Sequence, residues 1–175
     1  MIDILRARRS IRKYQPRQIE PESIDLIEES LLRSPSSRGL NPWRFILVDD
    51  PDVLKQLSDA KPHGSTFLKG AALGIVVCGD ETESDVWVED CSIASIVAQL
   101  TAHSLGLGSC WIQIRKRFHS SGMGAEDYIR GLLAIPEGIR VLSIISMGYP
   151  AETKQPIPAE RLEREKIMRN RYSAT

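Results

Sequence analysis

A chain of 175 residues is long enough to bury one sizeable core. Lys plus Arg and Asp plus Glu number 23 each, so the net charge is zero and the basic excess of a general nucleic-acid binder is missing. Hydrophobic residues at 42% and charged residues at 26% have the balance of a soluble globular protein, and the longest apolar run, around Ala71 to Cys78, is far too short to cross a bilayer.

Met1 to Arg6 interrupts any apolar stretch with charge, unlike a signal peptide, so a cytoplasmic protein is expected. Next comes Arg8-Arg9-Ser10-Ile11-Arg12-Lys13-Tyr14: three guanidiniums and a hydroxyl within five residues, a set suited to phosphate oxygens. If helical, Arg8 and Arg12 stand at i and i+4 and share a face. Pro16 to Pro21 reads as a turn, and Glu22 to Arg33 as a helix with Ile24, Ile27, Leu31 and Leu32 on one stripe, stopped by Ser34-Pro35. Ser36 to Pro42 is a polar loop, Trp43 to Val48 a strand, and Asp49-Asp50-Pro51 opens a helix to about Ala60.

Lys61 to Gly70 fits a loop with a short helix, and Ala71 to Cys78 a buried strand. Asp80 to Asp85 is acidic and exposed in this reading. Val86 to Leu105 carries the strongest helical pattern, with Ile93, Ile96, Val97 and Leu100 forming one face and Ala94, Ala98 and Ala102 permitting close packing. Gly106-Leu107-Gly108 ends it before a strand over Ser109 to Ile114. Ala125 to Leu133 is a helix, Val141 to Met147 a strand, and Ala159 to Arg169 a charged, helix-like segment. Strands separated by helices predict a single α/β or α+β sandwich. The polar tail has no core of its own and is expected to pack on another surface.

The cysteines, Cys78, Cys91 and Cys110, lack CxxC spacing, so neither a disulfide framework nor a zinc site is expected. His63, His103 and His119 are scattered, and no side chain is assigned a catalytic acid or base role. Pro35-Ser36-Ser37-Arg38-Gly39-Leu40-Asn41-Pro42-Trp43 offers hydroxyls and amides to a polyol or heterocycle, while Trp43 itself reads as core. Gly106-Leu107-Gly108 follows a helix instead of preceding one, so it is no dinucleotide fingerprint, although glycines and strand-end amides can approach a flat ligand.

RRSIRKY, SPSSRGLNPWRF, LGLGSCWI and MGYPAE, in that order and spacing, resemble the nitroreductase family over nearly the whole chain. The resemblance implies an α+β three-layer α/β/α sandwich with a central, mostly antiparallel sheet. It also implies a homodimer holding FMN at its interface, with the tail from about residue 151 to 175 packing on the partner subunit. Carried over residue by residue, Arg8, Arg9, Ser10 and Arg12 match the phosphate and ribityl segment. Pro35, Ser36 and Ser37 match the loop that reaches the flavin across the interface. Gln113 and Ile114 match the strand-end pair near flavin N5 and O4, and Arg161, with Lys154 as alternative, matches a late basic residue at the phosphate.

Two departures stand out. Gly39 and Asn41 replace an asparagine and a glutamine frequent in the family, leaving Asn41 or Arg38 to make the side-chain contact. Gln113-Ile114 replaces the Glu-Gly of many larger members, keeping backbone contacts and losing a glutamate. The implied activity is an oxidoreductase passing electrons from NADH or NADPH through FMN to a nitroaromatic, quinone or related small-molecule acceptor. The alternative is a non-redox flavin- or ligand-binding member used for storage, sensing or flavin breakdown. Neither nucleic acid nor membrane is an expected partner.

Overall fold

The computed structural model describes residues 1–172. In chain order its regular elements are α1 (Ile2–Ala7), α2 (Pro21–Leu32), β1 (Trp43–Val48), α3 (Pro51–Ser58), β2 (Leu73–Asp80), α4 (Trp87–Ser104), β3 (Gly108–Gln113), α5 (Ala125–Leu132) and β4 (Ile139–Gly148). The strands form one antiparallel sheet in the order β1-β2-β4-β3. β2 and β4 are its inner pair, which explains why both read as near-continuous apolar runs: each is covered on two faces.

Side-chain alternation sends alternate residues to opposite faces of the sheet. Leu73, Ile75, Val77, Ile145 and Met147 pack under α2 and α4, whereas Val76, Cys78, Ile112, Ile114 and Ile144 pack under α3, α5 and the 3₁₀ turn Thr66–Gly70. The result is the α+β, three-layer sandwich expected. Between Val77 and Cys78 the register with β4 slips by one residue, so Leu142 is an extra residue in β4. This bulge switches the alternation: Leu142 and Ile145 share a face although they stand an odd three positions apart.

Local chemistry sets the element ends. Asp50 caps α3, accepting from the amides of Asp52 at 2.8 Å and Val53 at 3.0 Å, with Pro51 at the first helical position. α4 closes with a Schellman pair, Leu107 N–H to the Ala102 carbonyl at 2.9 Å and Gly106 N–H to the His103 carbonyl at 3.1 Å. Gly106 takes φ +77, a left-handed turn that suits glycine, and so aims the chain directly into β3.

One condition is not met and three expectations need correction. The segment after α1 is not helical: Arg8 has φ −60 and ψ 129, and the chain runs extended alongside β3 with Ser10 bridged in parallel to Ser109. The buried face of α4 is the small-residue stripe Cys91, Ala94, Ser95, Ala98 and Ala102, while Ile93 and Ile96 are each 39% exposed. The alanines won because only small side chains let the helix lie close on the sheet. Leu32 of α2 is 64% exposed, so that helix's buried stripe is Ile27 and Leu31. Ala159 to Arg169 forms two isolated 3₁₀ turns, Ala159–Arg161 and Arg164–Lys166, with Leu162, Ile167 and Tyr172 exposed. This tail has no apolar stripe facing its own sheet to sustain a helix. The expected tail boundary extends to residue 175, and its last three residues lie outside those described.

Candidate functional site

The extended course of Arg8 to Arg12 divides the arginine cluster by the two-residue period. Arg8, Ser10 and Arg12 share one side and Arg9 and Ile11 the other. The Arg8/Ser10/Arg12 side faces Cys110: its thiol is pushed up by burial, then pulled back by Arg12, the Ser10 hydroxyl, Lys154 and Arg8, in that order. Arg12 also lies over the Phe67 ring at 5.7 Å. Among the described residues neither Arg8 nor Arg12 forms an ion pair, although the chain has as many acids as bases. Two unpaired guanidiniums, a lysine and a hydroxyl around one edge-strand thiol are a donor set that fits a phosphate.

Several contacts hold this arm in place. Ile11 N–H donates to the Ser109 carbonyl at 3.0 Å. Ile11 packs directly on Gly108, where a Cβ would come within 2.8 Å of it. The Tyr14 hydroxyl donates to the Ile11 carbonyl at 2.7 Å and lies 2.7 Å from Ser146 Oγ, which reaches the Cys110 carbonyl at 3.3 Å. The Arg12 amide donates to Glu152 Oε1 at 2.6 Å, and Lys154 Nζ donates to the Ser10 carbonyl at 2.8 Å while pairing with Glu152 at 3.4 Å. The arm is thus preordered by backbone and hydroxyl hydrogen bonds, one carboxylate and one ammonium, leaving the guanidiniums of Arg8 and Arg12 to a ligand.

Of the two late basic residues weighed, Lys154 joins this group. Arg161 sits instead with Arg9, Gln155 and Ile157 around a surface hollow on the other side of the arm, and Arg9 donates to the Gln155 carbonyl. Sequence reasoning overlooked Tyr14 and Glu152 as holders of the arm; the signal available was a Tyr closing RRSIRKY and a Glu two residues before Lys154.

At the far end of β3, Gln113 is fixed by its neighbours. Its Oε1 accepts from Trp111 Nε1 at 2.9 Å and its Nε2 donates to the Arg115 carbonyl at 2.9 Å. Ile114 is fully buried, and its amide donates to the Leu142 carbonyl at 3.2 Å, an acceptor shared with the Arg115 amide at 3.0 Å. The bulge therefore anchors the end of β3. Arg115 then lies over Trp87 at 5.9 Å, placing this strand end beside the first turn of α4.

Pro35, Ser36, Ser37 and Asn41 form a second group. Ser36 Oγ donates to Asn41 Oδ1 at 2.7 Å and accepts from the Asn41 amide at 2.9 Å. Arg38, Gly39 and Asn41 all take left-handed φ values of 56, 67 and 50, which costs energy at the two non-glycine positions. The loop is tethered by Asp90, 2% exposed, which accepts from the Ser37 amide at 2.7 Å and the Ser84 hydroxyl at 3.2 Å. Arg38 pairs with Asp85.

These two groups do not meet within one chain. Ser37 is tied to the first turn of α4, whereas Arg9 and Ile11 line a hollow with His103 and Gly106 at its other end. The fourteen residue steps of α4 from Asp90 to Ser104 correspond to about 21 Å of helix. Phe67, which Arg12 approaches, packs beneath the sheet face opposite α4.

A model of the nitroreductase family matches residues 5–75 and 60–149. A solved FMN-dependent nitroreductase from Clostridium difficile R20291 superposes with a TM-score of 0.96 at 45% identity, over 98% of this chain and 100% of its own. A protein of Archaeoglobus fulgidus named "Putative NADH dehydrogenase/NAD(P)H nitroreductase" is 39% identical over 98% of both chains. An FMN reductase [NAD(P)H] of Bacillus subtilis is 25% identical over 100% of this chain and 77% of its own.

Proposed function

The chain belongs to the nitroreductase family, and from that premise we propose that it is an FMN-dependent NAD(P)H oxidoreductase reducing nitroaromatic, quinone or related small-molecule acceptors. The observation that carries this reading is the donor set around Cys110: Arg8, Arg12 and Lys154, with the Ser10 hydroxyl, fit the phosphate of FMN. A phosphate monoester carries roughly −1.5 to −2 charges near neutrality, which two free guanidiniums can balance. A bound flavin supplies a two-electron carrier between a nicotinamide donor and the acceptor. The protein's share is to bind, orient and shield. Arg8 and Arg12 hold the phosphate, Tyr14 and Glu152 keep the arm extended, and the Gln113–Ile114 strand end, made rigid by the Leu142 carbonyl, presents the ring position. No His, Asp or Glu side chain is needed as a proton donor at that position.

The working unit in this reading is a homodimer. The loop of Ser36 and Ser37 is tethered about 21 Å along α4 from the arginine arm of the same chain, which supports a second copy bringing its loop to the first copy's arm. Ile2 and Leu5 of α1 and Ile93 and Ile96 of α4 are exposed in the single chain, which supports such a contact. Leu162, Ile167 and Tyr172 give the tail apolar groups for packing on the partner subunit.

The test is an absorption spectrum of the purified protein, with and without added FMN after removal of excess, followed by anaerobic NADH or NADPH. Retained flavin bands that bleach support the reading. Retained flavin that never bleaches with either donor overturns the redox assignment, and failure to retain flavin overturns the cofactor assignment.

A further inference from the structure

Arg12 is exposed, and an exposed arginine samples many rotamers, which opposes any ligand that needs its guanidinium in one place. Two observations set this side chain apart. Its guanidinium forms no ion pair among the described residues, and it lies over the face of the Phe67 ring, 5.7 Å from the centroid. That separation is within the range at which the negative face of a ring attracts a cation. The Arg12 backbone is fixed separately, by its amide on Glu152, so what the ring holds is the side chain.

Phe67 has a rigid mount. It stands in the 3₁₀ turn Thr66–Gly70, flanked by the fully buried residues Ser65 and Leu68. The Ser65 hydroxyl donates to the Ser58 carbonyl at 2.7 Å, and the Ser65 carbonyl accepts from the Leu68 amide at 2.9 Å. The Ala71 amide closes the turn on the Leu68 carbonyl at 3.0 Å. Leu68 in turn lies against Gly74 of β2, where a Cβ would come within 3.3 Å of it. Phe67 itself is half-buried and packs on the apolar cluster under α3 and α5.

A carboxylate would hold a guanidinium by its N–H fork and neutralise the charge that a phosphate needs. A ring holds it by its flat face, which leaves the fork free and the charge intact. Arg17 shows the contrast: it lies over Tyr149 at 3.8 Å but is also paired with Glu20 at 2.9 Å, so its fork is already engaged.

We propose that Phe67 is a positioning residue for the cofactor's phosphate, its ring holding the Arg12 guanidinium charged, unpaired and oriented for that group. This rests on the FMN reading of the Arg8, Ser10 and Arg12 side of the arm. Phe67 then matters to a phosphorylated flavin and not to the same flavin without its phosphate.

The test compares FMN with riboflavin, which has the same ring and ribityl chain and no phosphate. Flavin fluorescence titration gives the dissociation constant of each for the wild type, Phe67→Leu, Phe67→Tyr, Arg12→Gln and the Phe67→Leu/Arg12→Gln double variant. Phe67→Leu keeps apolar bulk and loses the ring, so FMN binding should weaken by about three- to tenfold while riboflavin binding stays unchanged. Phe67→Tyr keeps the ring face and should retain the wild-type preference for FMN. In the Arg12→Gln background, Phe67→Leu should weaken FMN no further. Equal losses for the two flavins overturn the proposal, because they place Phe67 against the flavin ring or in the fold alone. An undiminished loss in the Arg12→Gln background overturns it too, as does no loss at all. A second readout needs no flavin. In cofactor-free protein at mildly acidic pH, the Arg12 Nε–H resonance, assigned by its disappearance in Arg12→Gln, should carry an upfield ring-current shift that vanishes in Phe67→Leu. A resonance that does not move overturns the proposal even where FMN binds. One that moves in a protein unable to bind FMN supports the hold on Arg12 while the cofactor reading alone fails. If Phe67→Leu does not fold, Phe67→Met takes its place in every comparison.

Discussion

Replacing Tyr14 with phenylalanine removes one oxygen and keeps the ring. That oxygen donates to the Ile11 carbonyl at 2.7 Å and lies 2.7 Å from Ser146 Oγ. The variant loses two hydrogen bonds, each with a net value of about 1 kcal/mol, and leaves the partly buried Ile11 carbonyl short of a donor. Ser146 keeps its contact with the Cys110 carbonyl, which limits the damage on that side. The sum is about 2–3 kcal/mol, or a fall in melting temperature of roughly 4–12 °C for a chain of this size. Because the lost bonds hold the arm carrying Arg8 and Arg12, FMN affinity should fall by up to about tenfold as well. Circular-dichroism melts and flavin fluorescence titration measure the two effects. The same residue sets an alkaline limit. Burial raises the Tyr14 phenol above its ordinary value of 10.0, so the folded state favours the neutral form. That contribution is complete below pH 10 and is lost as pH rises further, and Tyr14→Phe should lack this part of the slope. A variant that melts with the wild type and binds FMN equally would refute the role given to Tyr14.

Arg12→Gln should weaken FMN binding by about ten- to a hundredfold, more than Arg161→Gln, which lies with Arg9 outside the Cys110 group; isothermal titration decides the ranking. Asp90→Ala strips the acceptor from the Ser37 amide and Ser84 hydroxyl, costing about 2 kcal/mol and loosening the loop from Pro35 to Asn41, whereas Asp90→Asn retains an acceptor and costs less. Thermal melts and limited proteolysis of that loop compare the two. Burial pushes Cys78 and Cys91 up from 9.0 to about 12, so the neutral thiols favour the folded state below pH 9 and that stabilisation is lost as pH rises towards 12. Cys91→Ala should flatten this alkaline slope in urea titrations at fixed pH steps, whatever its effect at pH 7.

Strand positions were readable because inner strands must be apolar on both faces, and the runs at Leu73 and Val141 had no other sensible place. The end of α4 was equally plain, since a glycine in left-handed geometry followed by Leu107 is a local event. The orientation of α4 about its own axis was not. Both stripes on that helix are apolar, and which one meets the sheet depends on the room available beneath it, a property of the assembled layers. The arginine arm shows a related limit: helical and extended backbones alike put Arg8 and Arg12 on one side, so the pattern identified partners without identifying the conformation. The separate roles of Lys154 and Arg161 depend on the path of an irregular tail, where neither period nor propensity guides the chain. The bulge at Leu142 was likewise hidden, because a single inserted residue inside a strand buried on both faces breaks no polar–apolar alternation that a reader could follow.

Gly108 offers a lesson about reading tolerance to change. It has no side chain to offer a ligand, yet Ile11 occupies the space into which any Cβ would project. An alanine there would wedge the arginine arm off the edge of the sheet and scatter groups that never touch residue 108. A deep mutational scan scored on cofactor retention would rank this position among the most sensitive in the chain, and a chemist seeking contacts would find none. The constraint is one of clearance, and it shows how an unreactive atom's absence can govern a binding phenotype as firmly as a charge.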